Sequence, residues 1–187
     1  MKINIFGFYK IKEIKNLKNN KYLIQNFFSK KFIKGIVILA PEGINGTISG
    51  KNDDLNDCLK YIKKKFSIKK FDSKNSSQAD YQPFNKIKIK IKKEVVPIGM
   101  KFNIKEKNKN KYIDPKYWNR FIKEKDITVI DVRKPMEFKL GTFKNAIDPG
   151  IKNFRQVHYF FKKLNKDKKI AMFCTGGIRC EKAANFL

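Results

Sequence analysis

The sequence predicts an α+β domain of order βαββαβ over residues 1–98, then a linker at 99–111, then an α/β domain with a parallel sheet over 112–187. Three observations carry this. Strand-like and helix-like apolar patterns alternate through the first half, with the helical stripes recurring at i, i+3, i+4. A lysine- and asparagine-rich stretch then breaks all periodicity, as linkers do. Beyond it two short apolar runs, ITVIDV and KKIAMFC, alternate with helical patterns, the habit of a buried parallel sheet.

In order, INIFGFYKI at 3–11 is rich in β-branched and aromatic residues and reads as a strand. NNKYLIQNFFSKKFI at 19–33 reads as a helix, with Leu23, Phe27 and Phe28 on one side and Ile24 near them. GIVILA at 35–40 is a fully apolar strand. PEGING at 41–46 is turn chemistry, and GTISG at 46–50 returns as its partner. Asp53 or Asp54 caps a helix through 55–66, where Leu55, Cys58, Leu59, Ile62 and Phe66 form an apolar stripe. Residues 72–83 are polar and read as a loop. KIKIKIKK at 86–93 alternates perfectly, isoleucines against lysines, and reads as the half-solvated closing strand. This order is the ferredoxin-like or acylphosphatase-like arrangement.

In the second domain Asp114-Pro115 reads as the cap and first residue of a short helix carrying Trp118, Phe121 and Ile122. ITVIDV at 127–132 is a buried strand, and EFKLGTFKNAIDPG a helical turn plus loop. Residues 152–164 read as a helix through Phe154, Val157, Phe161 and Leu164. KKIAMFC at 168–174 is a second buried strand that runs into TGGIRC and a helix.

Composition bounds the function. The chain of 187 residues is 41% hydrophobic and 13% aromatic, enough to bury a core and unlike a disordered tail. Its net charge of +27 attracts polyanions, RNA foremost. Only Arg120, Arg133, Arg155 and Arg179 are arginines among 44 basic residues, so a biased genome explains the charge equally well. Against a lysine background each arginine hints at a need for a planar, multi-donor guanidinium. Lys86, Lys88, Lys90 and Lys92 either track a phosphate backbone or form a solvated face. Cys58, Cys174 and Cys180 are too few for a secreted disulfide framework. No apolar run suits a signal peptide or a membrane span, so a cytoplasmic protein without membrane contact is expected. No metal or other cofactor site is evident.

The chemistry concentrates in CTGGIRC. Ligands bind at the carboxyl ends of strands in open α/β sheets, and that position holds Cys174. The backbone N–H groups of Thr175, Gly176, Gly177 and Ile178 can turn inward as an anion cradle, because glycine permits the tight turn. The helix that follows and Arg179 add positive potential, which favours the Cys174 thiolate. Such a thiolate suits nucleophilic attack and could carry an anionic persulfide or phosphoryl group. A tyrosine-phosphatase-like loop is one residue longer, and C-x5-C with a single histidine is poor metal spacing. Arg179 binds the anion or pairs with Glu181 or another carboxylate. Asp131 and Arg133 read as an ion pair that shapes the loop. Cys180 packs in the core, or resolves a persulfide or forms a redox disulfide, and Cys58 is core. Glu42 and Asn45 contact RNA or serve the turn.

CTGGIRCEKA, with IDVRKPMEFKLGTFKNAIDP upstream, resembles a rhodanese-type sulfurtransferase domain. The six-residue active loop maps to Cys174 through Arg179, and Asp131, Arg133, Glu137 and Gly141 match the upstream signature. LAPEGINGTISG, YIDPKYWNRFI and FCTGGIRCEKA together resemble the rhodanese-related tRNA uridine hydroxylases, the TrhO family. That resemblance implies an oxidoreductase performing oxygen-dependent 5-hydroxylation of the wobble uridine. Its substrate is tRNA, its co-substrate molecular oxygen and its electron donor unknown. Cys174 matches the persulfide cysteine. Residues 112–187 fall short of a typical domain of ~100 residues, so the rhodanese-like domain is expected to be C-terminally incomplete, with an exposed sheet edge. Two other functions stay open: a general sulfurtransferase, and an inactive RNA-binding remnant.

Overall fold

The structure, a computed structural model, describes residues 2–99, 102–104, 112–165 and 167–187. Most of the expected 99–111 linker lies outside the described residues. The chain forms two compact units, Met1–Val96 and Pro97–Leu187.

The first unit is a five-stranded sheet with two helices on one face. Its strands are β1 (Ile3–Ile11), β2 (Ile33–Ala40), β3 (Gly43–Gly50), β4 (Ser73–Ala79) and β5 (Ile87–Ile91), and its helices α1 (Leu17–Phe28) and α2 (Asn52–Lys65). Spatial order is β4-β1-β3-β2-β5. Every pairing is antiparallel except that of β5, which runs parallel to β2. The pleat sends Phe6, Phe8, Val37, Leu39, Ile44, Ile48 and Ile89 to one face, where they meet Ile24 and Phe28 of α1 and Leu55, Cys58 and Ile62 of α2.

Two corrections concern the sheet. Residues 72–83, expected to be a loop, contain β4, which pairs along the edge of β1 from Ile3↔Ala79 to Tyr9↔Ser73. SKNSSQA has no apolar periodicity. Its ladder is made by main-chain groups, which any side chain permits. KIKIKIKK is a strand as expected but does not close the βαββαβ order. β4 does that, and β5 adds a fifth strand at the opposite edge. The lysine alternation holds: Lys88 and Lys90 sit opposite Ile36 and Ile38 on the face away from the helices.

Smaller corrections are local. α1 ends at Phe28 instead of 33, because Ile33 is the first residue of β2, paired to Gly50. The 41–46 turn shrinks to Pro41-Glu42, with β3 starting at Gly43. Neither Asp53 nor Asp54 caps α2. Lys51 holds the cap position, and Asp54 instead accepts from the Phe32 N–H at 3.3 Å.

The second unit has the parallel pair β6 (Ile127–Asp131) and β7 (Lys169–Phe173), extended by a parallel bridge from Ile130 to Ile147. Around it are α3 (Pro115–Phe121), α4 (Pro135–Lys139), α5 (Val157–Phe161) and α6 (Ile178–Ala184). Asp114 caps α3 as expected, accepting from Lys116 N at 3.0 Å. The helix expected over 152–164 is instead a 3-10 turn at Phe154–Gln156 followed by α5. Asn153 supplies its cap through Arg155 N, so a short polar side chain starts the turn where apolar spacing alone suggested a helix interior. Ile98, Ile130, Val132, Val157, Phe161 and Ala183 form the core here. Among the described residues no helix is long and apolar enough to cross a membrane.

Candidate active site around Cys174

β6 and β7 are in parallel register with Asp131 beside Phe173, so their carboxyl ends lie together. Two loops leave from this point, and the site is what they hold between them.

The β6 side is built on a buried ion pair. Asp131 is 1% exposed. It accepts from the Arg133 main-chain N–H at 3.0 Å, from Nε at 2.9 Å and from Nη2 at 2.7 Å. The Thr142 hydroxyl donates at 3.0 Å to Asp131 Oδ2, the oxygen that also takes Arg133 Nη2, and Nη2 reaches the Gly141 carbonyl as well. A buried carboxylate needs such compensation. The result pins the segment after α4 to the end of β6. The Arg133 guanidinium lies 5.3 Å above the Phe173 ring, which packs edge-on against Phe143 and Trp118.

The β7 side is the loop that Cys174 opens. Cys174 Sγ accepts the Gly177 N–H at 3.1 Å. Gly177 has φ 90°, in the left-handed region where a side chain would strain the backbone, so glycine lets the amide turn back onto the sulfur. The Cys180 thiol acts on the same sulfur. Together with the Cys180 and Gly176 N–H groups and the Arg179 charge it holds the Cys174 thiol down at about 5, against the opposing effect of burial. Cys180 is pushed the other way, well above the ordinary thiol range, by its hydrogen bond to Cys174 and by burial. The pair therefore divides into one thiolate and one thiol donor.

Arg179 is oriented from α4. Its Nη1 and Nη2 each donate to the Glu137 carboxylate at 3.0 Å, and Nη2 reaches Thr175 Oγ1 at 3.1 Å. The Thr175 hydroxyl donates to Glu137 as well, and Glu137 accepts from Lys134 N at 3.0 Å. Arg179 first, with these other donors, holds the Glu137 carboxyl down at about 2. This fork-to-fork pairing fixes the guanidinium beside Cys174, whose charge Arg179 feels in turn.

Of the residues expected at the site, Cys174, Thr175, Gly176, Gly177 and Arg179 come together in the loop, and Asp131 and Arg133 pair with each other and hold Gly141 and Thr142. Ile178 starts α6 with its side chain buried. Arg179 pairs with Glu137 and not with Glu181. Glu42 and Asn45 belong to the other unit. There the Glu42 carboxylate takes the Val95 N–H at 2.8 Å and the Asn45 amide donates to the Val95 carbonyl at 3.4 Å, so both clamp one stretch of main chain. Two residues were undervalued by sequence reasoning: Glu137, visible only as one letter of the upstream signature, and Cys180 as a thiol donor.

Fold and loop together define a class of protein. Residues 3–95 match the UPF0176 acylphosphatase-like domain, and residues 114–187 match the rhodanese-like domain. The tRNA uridine(34) hydroxylase of Pelagibacter ubique is 54% identical over 98% of this chain. Those of the Wolbachia of Brugia malayi and of Legionella pneumophila are 40% and 38% identical over 100% and 99% of it. The chain belongs to the tRNA uridine(34) hydroxylase family. It spans 61% of the length of the Pelagibacter relative, 70% of the Wolbachia one and 74% of the Legionella one.

Proposed function

We propose that this chain acts in 5-hydroxylation of the wobble uridine of tRNA, with the Cys174 thiolate as its reactive group. The observation that carries the reading is a thiolate held at about 5 inside a loop of amide donors, with a guanidinium fixed beside it. Family membership supplies the substrate and reaction. In that reaction one atom of dioxygen enters at the uracil C5 and the other leaves as water, so a two-electron reductant is a required partner.

In this reading Cys174 is the nucleophile, and the N–H groups of residues 175–178 with Arg179 bind the negative charge that develops on or beside its sulfur. Asp131 and Arg133 hold the loop's shape. Glu42 and Asn45 serve RNA binding by fixing the Val95 segment. A cytoplasmic setting, where tRNA is modified, follows.

A second reading rests on the same loop. An anionic persulfide is the group such a cradle fits best, so Cys174 would attack the outer sulfur of thiosulfate, form a persulfide and release sulfite. This chemistry needs no RNA.

Nucleoside mass spectrometry of tRNA from cells lacking the gene, complemented with wild type or Cys174→Ser, tests the first reading. Loss of 5-hydroxyuridine-derived nucleosides, restored by wild type alone, is expected. Unchanged nucleosides in the deletion would overturn it and leave sulfur transfer as the explanation.

A further inference from the structure

At the end of the first unit's sheet farthest from the Pro41-Glu42 turn, Phe32 is 81% exposed. Its neighbour Ile33 is buried in the core, and the pleat turns the Phe32 ring outward. Gly50 makes this arrangement possible, because a Cβ there would collide with the Phe32 carbonyl oxygen. The ring stands at the rim of a cavity of about 650 Å³ that Lys2, Lys34, Lys51 and Gln82 help to line. Lys51 Nζ lies 5.9 Å from the ring centroid, within cation–π range. Gln82 is fixed as a wall by the Ser49 hydroxyl, which donates to it.

The charge balance of this basin is one-sided. Lys31, the fourth lysine on its wall, is taken up by Asp57 at 2.6 Å and Asp54 at 3.5 Å, which also occupies those carboxylates. Lys2, Lys34 and Lys51 have no carboxylate partner among the described residues. An exposed aromatic ring with Lys51 near one face, beside three cations that have no carboxylate partner among the described residues, matches an unpaired nucleotide of an RNA strand. The base offers a π face to stack and the flanking phosphates neutralise the lysines. An apolar partner, or a peptide without acidic side chains, would leave the cations unmet, and a carboxylate side chain would leave the aromatic ring without a π partner.

We propose that this basin binds an unpaired nucleotide of the tRNA substrate, the base stacking on Phe32 and the backbone phosphates meeting Lys2, Lys34 and Lys51. The inference rests on the tRNA reading above and assigns part of the recognition to the first unit.

The test is fluorescence anisotropy of the full chain with an unmodified tRNA transcript at low and moderate salt. Wild type binds, and more weakly as salt rises. Phe32→Ala weakens binding ~10-fold at both salts, and Phe32→Trp restores it. The double variant Lys34→Ala/Lys51→Ala lowers the slope of log affinity against log salt by ~1 to 2. All three substituted residues are exposed, so thermal midpoints are unchanged, and persulfide formation on Cys174 from thiosulfate stays at the wild-type rate. Wild-type affinity in Phe32→Ala overturns the inference and leaves the tRNA reading standing. Failure of the wild type to bind tRNA overturns both. Free UMP or AMP binding as tightly as tRNA, through Phe32, overturns the inference in favour of a soluble nucleotide.

Discussion

Cys58 and Cys174 sit in the two halves of the molecule, one buried and one half-buried, and although burial raises both thiols their surroundings carry them to opposite ends of the thiol range. Cys58 lies on α2 among Leu55, Leu59 and Ile62 with no exposure, and desolvation pushes it up to about 12. Cys174 is held at about 5 although burial opposes it. The difference lies in what surrounds each sulfur. Around Cys58 there are methyl groups, which cannot solvate a charge. Around Cys174 there are a thiol, amide N–H groups and a guanidinium, preorganised by the loop. A hydrophobic stripe keeps a cysteine protonated, and a strand-to-helix glycine loop favours its thiolate.

Four changes break or sharpen that contrast. Cys174→Ser abolishes persulfide formation from thiosulfate and 5-hydroxyuridine in tRNA, and a variant that keeps either activity would remove Cys174 from it. Arg179→Lys keeps the charge but loses the fork to Glu137. Two charge-assisted hydrogen bonds then become at most one, and a ~10- to 100-fold loss in persulfide formation is expected. A loss of less than ~3-fold would make Arg179 a structural residue.

Cys180→Ala removes the leading donor to the Cys174 sulfur. In the wild type, iodoacetamide alkylation of Cys174 should follow a titration centred at about 5. The variant's midpoint moves up toward the ordinary value of 9.0, with a ~10-fold slower reaction at mildly acidic pH for each unit moved. An unmoved midpoint would deny Cys180 its donor role. The sign for stability is set by the depressed value. The Cys174 contribution is complete above about 9 and disappears as pH falls through about 5, and that of Glu137 is lost only as pH falls through about 2. Cys58→Ala is the smallest change, costing about 1 to 2 kcal/mol of stability by urea denaturation and leaving Cys174 alkylation untouched.

Much of this was legible from residue order. The apolar stripes of α2 and β2 and the cap at Asp114 follow from periodicity and local chemistry, and they form where expected. The strand–Gly-Gly–helix junction at Cys174 was legible too, since all of its parts are within a few residues. β4 was not: SKNSSQA is a strand because β1 offers it an open edge more than sixty residues away in sequence. The partner of KIKIKIKK was equally hidden, because a perfect alternation fits either edge of the sheet.

Residue order is enough to place helices and strands wherever side chains must choose between core and water. The same holds for the strand-to-helix glycine loop that Cys174 opens, because glycine tolerance and the hydrogen-bonding groups of a short loop are local properties. Tertiary structure alone decided that Glu137 holds Arg179 across 42 residues, that Asp131 and Arg133 brace the Gly141-Thr142 turn, and that Glu42 clamps Val95. Those partnerships depend on how strands line up in a sheet. Register is set by the packing of the whole core and is written in no single stretch of the chain.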